Sequence, residues 1–256
     1  MPEILNLRET IASNLVPPRA PLLHCPPAGV SDFSAYISEM RINERSFGIR
    51  VADTEEGRNR ASLLIKKMYS WRGYAGTHML EDNPNQITLS AFDAGDEVIG
   101  TVTLGIDSPT VGIMADAVFK DYVDGFRERG ARVCEISKLA FDPTVKSKLA
   151  LGSLFHILYI YAHHIYQCTD AFVEINPRHR RYYETMLGFR TQSEVRINPR
   201  VNAPAHLLWL DLDFMGKEID RLGGISDHPG IERSLYPYFF SKREERGIAE
   251  RLMTIG

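Results

Sequence analysis

The sequence predicts an α/β fold built on a sheet of mixed strand direction, and three observations carry that prediction. Two β-rich runs, Gln86–Asp93 and Glu97–Ile106, are joined by the short turn AGD, which reads as an antiparallel hairpin. The run VCEISKLAFDP is followed by the apolar stretch Leu149–Tyr166 and then by TDAFVEINP. That is a strand, a long helix and a second strand, a unit that needs a parallel crossover. Finally, 256 residues with 44% hydrophobic content suffice to bury a substantial core.

The elements follow in order. Up to about Arg45 the chain is punctuated by Pro17, Pro18, Pro21, Pro26 and Pro27 and is weakly periodic, so residues 1–45 are expected to form an N-terminal arm. FGIRVAD alternates like a strand. Thr54 with Gly57 then opens a helix to about Trp71, with Leu64, Ile65 and Met68 on one face. After the hairpin comes a more helical insert, Ala115–Arg129, then the strand ending at Pro143 and the long helix. TDAFVEINP supplies a strand, RHRRYYETMLGF a short helix closing at Gly188, and Arg190–Ile197 and Leu207–Leu212 two final strands. Residues 46–214 are therefore expected to form one domain, and 215–256 a helical C-terminal extension packed on it. The aromatic cluster Tyr236, Tyr238, Phe239 and Phe240 in that extension is too costly to expose, and suits either a tunnel cap or a homodimer contact.

Charge and composition exclude several classes. A formal net charge of -3 offers no global basic field for nucleic acid or an anionic membrane. Cys25, Cys134 and Cys168 are far apart, and His163 and His164 lack a carboxylate at ligand spacing, so neither a metal nor a disulfide framework is expected. The first residues lack the basic start and apolar core of a secretion signal. His156, His163 and His164 interrupt the most apolar stretch, which is short of a spanning helix. A cytoplasmic protein without a transmembrane segment is the expectation.

Candidate chemistry centres on Glu135. A carboxylate on a rigid strand suits general-base work, and burial would raise its pKa toward the useful range. Period-two alternation places Glu135, Ser137 and Leu139 on one face, with Cys134, Ile136 and Lys138 on the other. The structural alternative is a strand glutamate paired with an arginine. The helix start at Val145–Leu151 suits an anion, through its free N–H groups and dipole. There Lys146 and Lys148 either attract a phosphate or are simply solvated.

The stretches EISKLAFDP, DAFVEINPRHRRYYETMLGF and NPRVNAPAHLLWLDL resemble long-chain N-acyl amino acid synthases of the GCN5-related N-acetyltransferase (GNAT) superfamily. The E-x-S-K stretch also resembles the related autoinducer (acyl-homoserine lactone) synthases. This resemblance implies a GNAT-like, mostly antiparallel sheet flanked by helices. It also implies transfer of a fatty acyl group from an acyl carrier protein thioester to the α-amine of an amino acid, with no permanently bound cofactor. Glu135 is then the base and Tyr183, rather than its neighbour Tyr182, the group that meets the leaving thiolate. Lys138, Leu139, Ala140, Phe141, Lys146, Ser147 and Lys148 are the implied donor-binding residues. The chain reads KSKLALG where the superfamily carries a glycine-rich loop, which favours a carrier protein over coenzyme A as donor. The alternatives are an acetyl-CoA-dependent small-amine N-acetyltransferase and a non-catalytic module that binds acyl groups or carrier protein. For the acceptor's carboxylate, Arg50, Arg72, Arg196 and Arg200 are all available.

Overall fold

A computed structural model describes residues 47–74, 76, 78–145, 147–225 and 232–255; the expected arm at 1–45 and Lys146 lie outside them. Eight strands form one mostly antiparallel sheet: β1 (Gly48–Val51), β2 (Gln86–Phe92), β3 (Val98–Ile106), β4 (Val133–Phe141), β5 (Asp170–Ile175), β6 (Arg190–Thr191), β7 (Arg196–Asn198) and β8 (Ala203–Asp211). Their order is β1-β2-β3-β4-β5-β8-β6, with β7 also paired to β8. Only β4 and β5 pair in parallel, across the crossover expected from the sequence.

Helices cover both faces. On one lie α1 (Glu55–Trp71) and α2 (Asp116–Arg127). On the other lie α3 (Lys148–Tyr159), α4 (Arg180–Leu187), α5 (Leu212–Leu222) and α6 (Lys242–Ile255). Thr54 caps α1 by accepting the Gly57 N–H at 3.1 Å, and Leu64, Ile65 and Met68 are buried as their spacing requires. Arg127 closes α2 by binding Asp107 and Asp116, at 2.8 and 2.7 Å. Among the described residues no helix is long and apolar enough to cross a membrane.

Three elements differ from expectation. The helix read through Tyr166 is α-helical only to Tyr159 and widens into a π-helix over Ile160–Ile165. The strand expected over Arg190–Ile197 is broken into β6 and β7, because Ser193 Oγ accepts the Leu207 N–H at 3.0 Å and takes a ladder position that a backbone carbonyl would otherwise fill. Strand β8 begins at Ala203 rather than Leu207. Its first residues run past the end of β5 and pair only with β7, an edge position where Pro204 is tolerated.

The C-terminal elements complete the core on the α3 face. Leu235, Tyr236, Phe239 and Phe240 are buried there, and the Phe240 N–H donates to His156 Nδ1 at 2.9 Å. Gly152 makes this docking possible, since a Cβ at that position would lie 2.8 Å from the Tyr238 carbonyl oxygen. Gly152→Val is expected to destabilise the protein by about 1–3 kcal/mol and to expose the C-terminal segment to protease. Thermal unfolding and limited proteolysis test this, and an unchanged cleavage pattern would refute it.

Candidate active site

Strands β4 and β5 stay paired over three positions only, Val133↔Asp170, Cys134↔Ala171 and Glu135↔Phe172. Beyond them β4 continues to Phe141 and β5 to Ile175, so the strands part and their facing backbone edges lose their ladder partners. The gap opens into a cavity of about 710 Å³, with Glu135, Ser137, Lys138 and Leu139 on one wall and Val173, Glu174 and Ile175 on the other.

A bulge shapes the β4 wall. Lys138 and Leu139 together stand opposite Val102, between the pairs Ser137↔Thr103 and Ala140↔Thr101. Lys138 adopts φ +51°, a left-handed conformation costing a non-glycine residue roughly 1–2 kcal/mol. Thr101 Oγ1 donates to its carbonyl at 3.0 Å. The extra residue reverses the side-chain alternation. Leu139 therefore packs with the α3-face core and Ala140 with α1, so the simple period-two assignment of Leu139 to the face of Glu135 does not hold.

Glu135 is 3% exposed, and its Oε2 accepts the Ala115 N–H at 3.1 Å from the start of α2. Burial pushes its carboxyl up to about 8; the Ala115 N–H opposes this and the nearby Glu174 carboxylate adds to it. Lys138, also partly buried, has its ammonium pKa pushed down by desolvation, while Glu81 and Glu135 pull it up. Tyr183 lines the same cavity from α4 and belongs to the core on the α3 face, with its ring edge-on to Phe189. Burial raises its phenol pKa, so the proton stays on oxygen at neutral pH. The gap thus joins a carboxylate on one face of the sheet to a phenol on the other.

The other residues singled out in the sequence separate clearly. Tyr182 also lines the cavity but is 40% exposed. Phe141 lines it and covers Gly100, where a Cβ would lie 2.3 Å from the ring. Ala140 is buried against α1 and is not brought to the cavity. Ser147 caps α3 by accepting the Ala150 N–H at 3.1 Å, and Lys148 Nζ sits 5.4 Å from the Tyr238 ring centre. Of the four arginines, Arg50 is engaged by Asp96, and Arg196 by Asp121 and Glu194, away from the cavity. Arg72 and Arg200 line it. Sequence reasoning passed over Glu174, Asn198 and Tyr69, which also line it. For Glu174 a signal existed: it follows the apolar run Ala171–Val173 within a strand, two positions from Phe172, the partner of Glu135.

A split parallel pair inside a mostly antiparallel sheet thus leaves a buried acidic side chain at the point of divergence, facing an open cavity, and the family match makes the protein an N-acyltransferase. The chain belongs to the N-acyl amino acid synthase FeeM family, whose model matches residues 60–211. The solved structure of FeeM, an N-acyl amino acid synthase from uncultured soil microbes, is 23% identical, with a TM-score of 0.59 over 68% of this chain and 95% of that one. The AHL synthase LasI is 11% identical (TM-score 0.49; 66% and 91% covered), and a putative N-acetyltransferase from Lactobacillus plantarum is 15% identical (0.44; 65% and 98%). No curated protein matches the sequence.

A carboxyl whose folded pKa exceeds its unfolded one keeps a proton that the unfolded chain has already lost. Its favourable contribution is complete below about pH 4.5 and disappears as pH rises through about 8. Glu135→Gln removes this dependence. The variant is expected to gain thermal stability relative to the native protein between pH 5 and pH 9, by an amount on the order of a few kcal/mol. Parallel melting curves for the two proteins across that range would count against a buried, proton-holding Glu135.

Proposed function

We propose that the protein transfers a long-chain fatty acyl group from an acyl carrier protein thioester to the α-amine of an amino acid, with Glu135 as general base and Tyr183 as general acid. The observation that carries this reading is the buried carboxyl of Glu135 at the last paired position of β4 and β5, facing the same cavity as the buried phenol of Tyr183. The proposed catalytic unit is residues 46–214, with 215–256 as a helical extension on the α3 face.

An amino acid enters as the ammonium. A base with a pKa near 8 is matched to an α-amino group, which ordinarily titrates near the same value, so proton transfer between them is close to isoenergetic. The freed amine attacks the thioester carbonyl, a C–N bond forms, and negative charge builds on the carbonyl oxygen. Backbone N–H groups on the unladdered edge of β4, beyond Glu135, are suited to receive that charge and to hold the amides of the donor's arm. Collapse breaks the C–S bond; the Tyr183 hydroxyl gives its proton to the departing thiolate, the second proton on the attacking nitrogen passes to the Tyr183 phenolate as the amide forms, and Glu135 releases the first to solvent.

Three features support a long acyl chain on a carrier protein over acetyl coenzyme A. The cavity is large, and Ile65, Leu139, Phe141, Leu151 and Met79 give it an apolar lining. The start of α3 is capped internally by Ser147, and Gly152 is committed to the Tyr238 backbone instead of a phosphate-binding loop. Lys148 is left to meet a single phosphate or an acidic carrier surface. Lys138, Leu139 and Phe141 would flank the thioester; for Lys146 and Ala140 a role in donor binding rests on the family resemblance.

The test is incubation with long-chain acyl carrier protein, acetyl coenzyme A and mixed amino acids, with products identified by mass spectrometry. N-acyl amino acids from the carrier-bound donor are expected; acetylated products alone would overturn the donor assignment. Glu135→Gln is expected to lower turnover roughly 10²–10⁴-fold with the fold intact. Native kcat/KM is expected to rise with pH toward a plateau above about 8, and Tyr183→Phe to slow thiolate release without weakening acceptor binding.

A further inference from the structure

The carboxylate side of the cavity holds a group of residues that the chemistry above does not use. Glu174 is on β5, two residues beyond the last pair with β4, and its side chain is 12% exposed. Its Oε1 accepts a hydrogen bond from Asn198 Nδ2, whereas its buried Oε2 has no hydrogen-bond partner among the described residues. The guanidinium of Arg200 stands 3.7 Å from that oxygen, close enough for attraction and too far for a hydrogen bond. Asn198, only 3% exposed, braces both residues: its Oδ1 accepts the Arg200 N–H at 2.8 Å while its amide nitrogen holds Glu174.

We infer that Glu174 and Arg200 form the clamp for the acceptor's zwitterion, Glu174 taking the α-ammonium beside Glu135 and Arg200 taking the α-carboxylate. The inference rests on the acyl-transfer reading and adds the groups that select an α-amino acid over a simple amine. Three observations carry it. A carboxylate oxygen that is buried without a donor leaves a strong acceptor unsatisfied, and an ammonium supplies the missing donor. A second acidic side chain, Glu135, projects to the same face of the sheet from the neighbouring strand, since Glu135 pairs with Phe172 and Phe172 shares a face with Glu174. An ammonium held by Glu174 thus lies next to the group proposed to take its proton. Arg200 is the cavity arginine beside Glu174: Arg72, at the C-terminal end of α1, acts on Tyr183, and Arg50 and Arg196 are neutralised elsewhere. Arg200 is 44% exposed, so its fork is free to close on a carboxylate in two-point geometry. Asn198 is a positioning residue that keeps the two charges at a spacing an amino acid can bridge.

The acceptor is a free α-amino acid on this account, and amino acid carboxamides are poor substitutes. The experiment uses the full chain with a long-chain fatty acyl carrier protein and compares the twenty L-amino acids with their carboxamides. For the best acceptor, KM and kcat are then measured for the native protein and for Arg200→Met, Arg200→Lys and Glu174→Gln. Arg200→Met is expected to raise KM for the amino acid about 10- to 100-fold with kcat little changed, and to leave KM for the carboxamide as it was. Arg200→Lys should recover part of the loss, because it restores charge without the fork. Glu174→Gln should raise KM for both acceptors, since both carry the ammonium. If Arg200→Met leaves the discrimination between acid and carboxamide intact, or Glu174→Gln leaves both KM values unchanged, the clamp is wrong while acyl transfer stands. If the native protein gives no N-acyl product from any acceptor, the acyl-transfer reading falls and takes the clamp with it.

Discussion

The parting of β4 from β5 after the Glu135↔Phe172 pair is the constraint on which the rest of the molecule depends. An unbroken parallel pair would satisfy every backbone group internally and leave no room between the strands. Here the ladder stops after three pairs, and the bulge at Lys138 and Leu139 rotates the continuing half of β4 relative to its first half. Holding Lys138 at positive φ is unfavourable, but the Thr101 hydroxyl and the buried β3 ladder on the other side over-determine it. The result is a hole through a sheet that is otherwise continuous, reached from both faces and lined by side chains on rigid strands.

The same geometry sets the electrostatics. Glu135 occupies the last paired position, so its backbone is fixed while its side chain is buried under the start of α2. Desolvation outweighs the Ala115 N–H, and the carboxyl keeps its proton to about pH 8. A buried acid of this kind loses stability progressively as pH rises from about 4.5 to about 8, a cost that the large flanking cores offset. Across the gap, burial acts on the phenol of Tyr183 in the same direction, toward the neutral form. One physical cause, desolvation, thus keeps both a carboxyl and a phenol in their neutral forms on opposite sides of the gap.

The C-terminal segment is part of this arrangement. By placing the Tyr238 carbonyl against Gly152 and the Phe240 N–H on His156, it covers the first turns of α3. Glu245 of α6 then binds His164 at 2.7 Å, and its carboxyl is held at about 2 by the His156 and His164 rings in spite of burial.

Much of the fold was legible in the sequence because periodicity reports burial directly. The hairpin, the capped helix at Thr54, the parallel crossover and the αL stop at Gly188 (φ +80°) are local signals, and each lies where its residues placed it. Glu135 was legible as a carboxylate on a strand, the residue type and placement that general-base chemistry needs. The breaks in pattern were not legible. Ser193 interrupts a strand, and the β4 bulge inverts a face, through contacts with residues fourteen or more positions away, Leu207 and Thr101. Which arginine stays free was equally hidden, because Arg50 and Arg196 are neutralised by Asp96 and Asp121, partners that only folding brings near. The sequence by itself determined the strands, the helices and the chemical types that the site contains. Tertiary structure alone decided that β4 and β5 separate, that Glu135 is dry enough to hold its proton, and that Glu174, Asn198 and Arg200 meet beside it, since ladder termination, desolvation and charge pairing depend on distances between residues far apart in the chain.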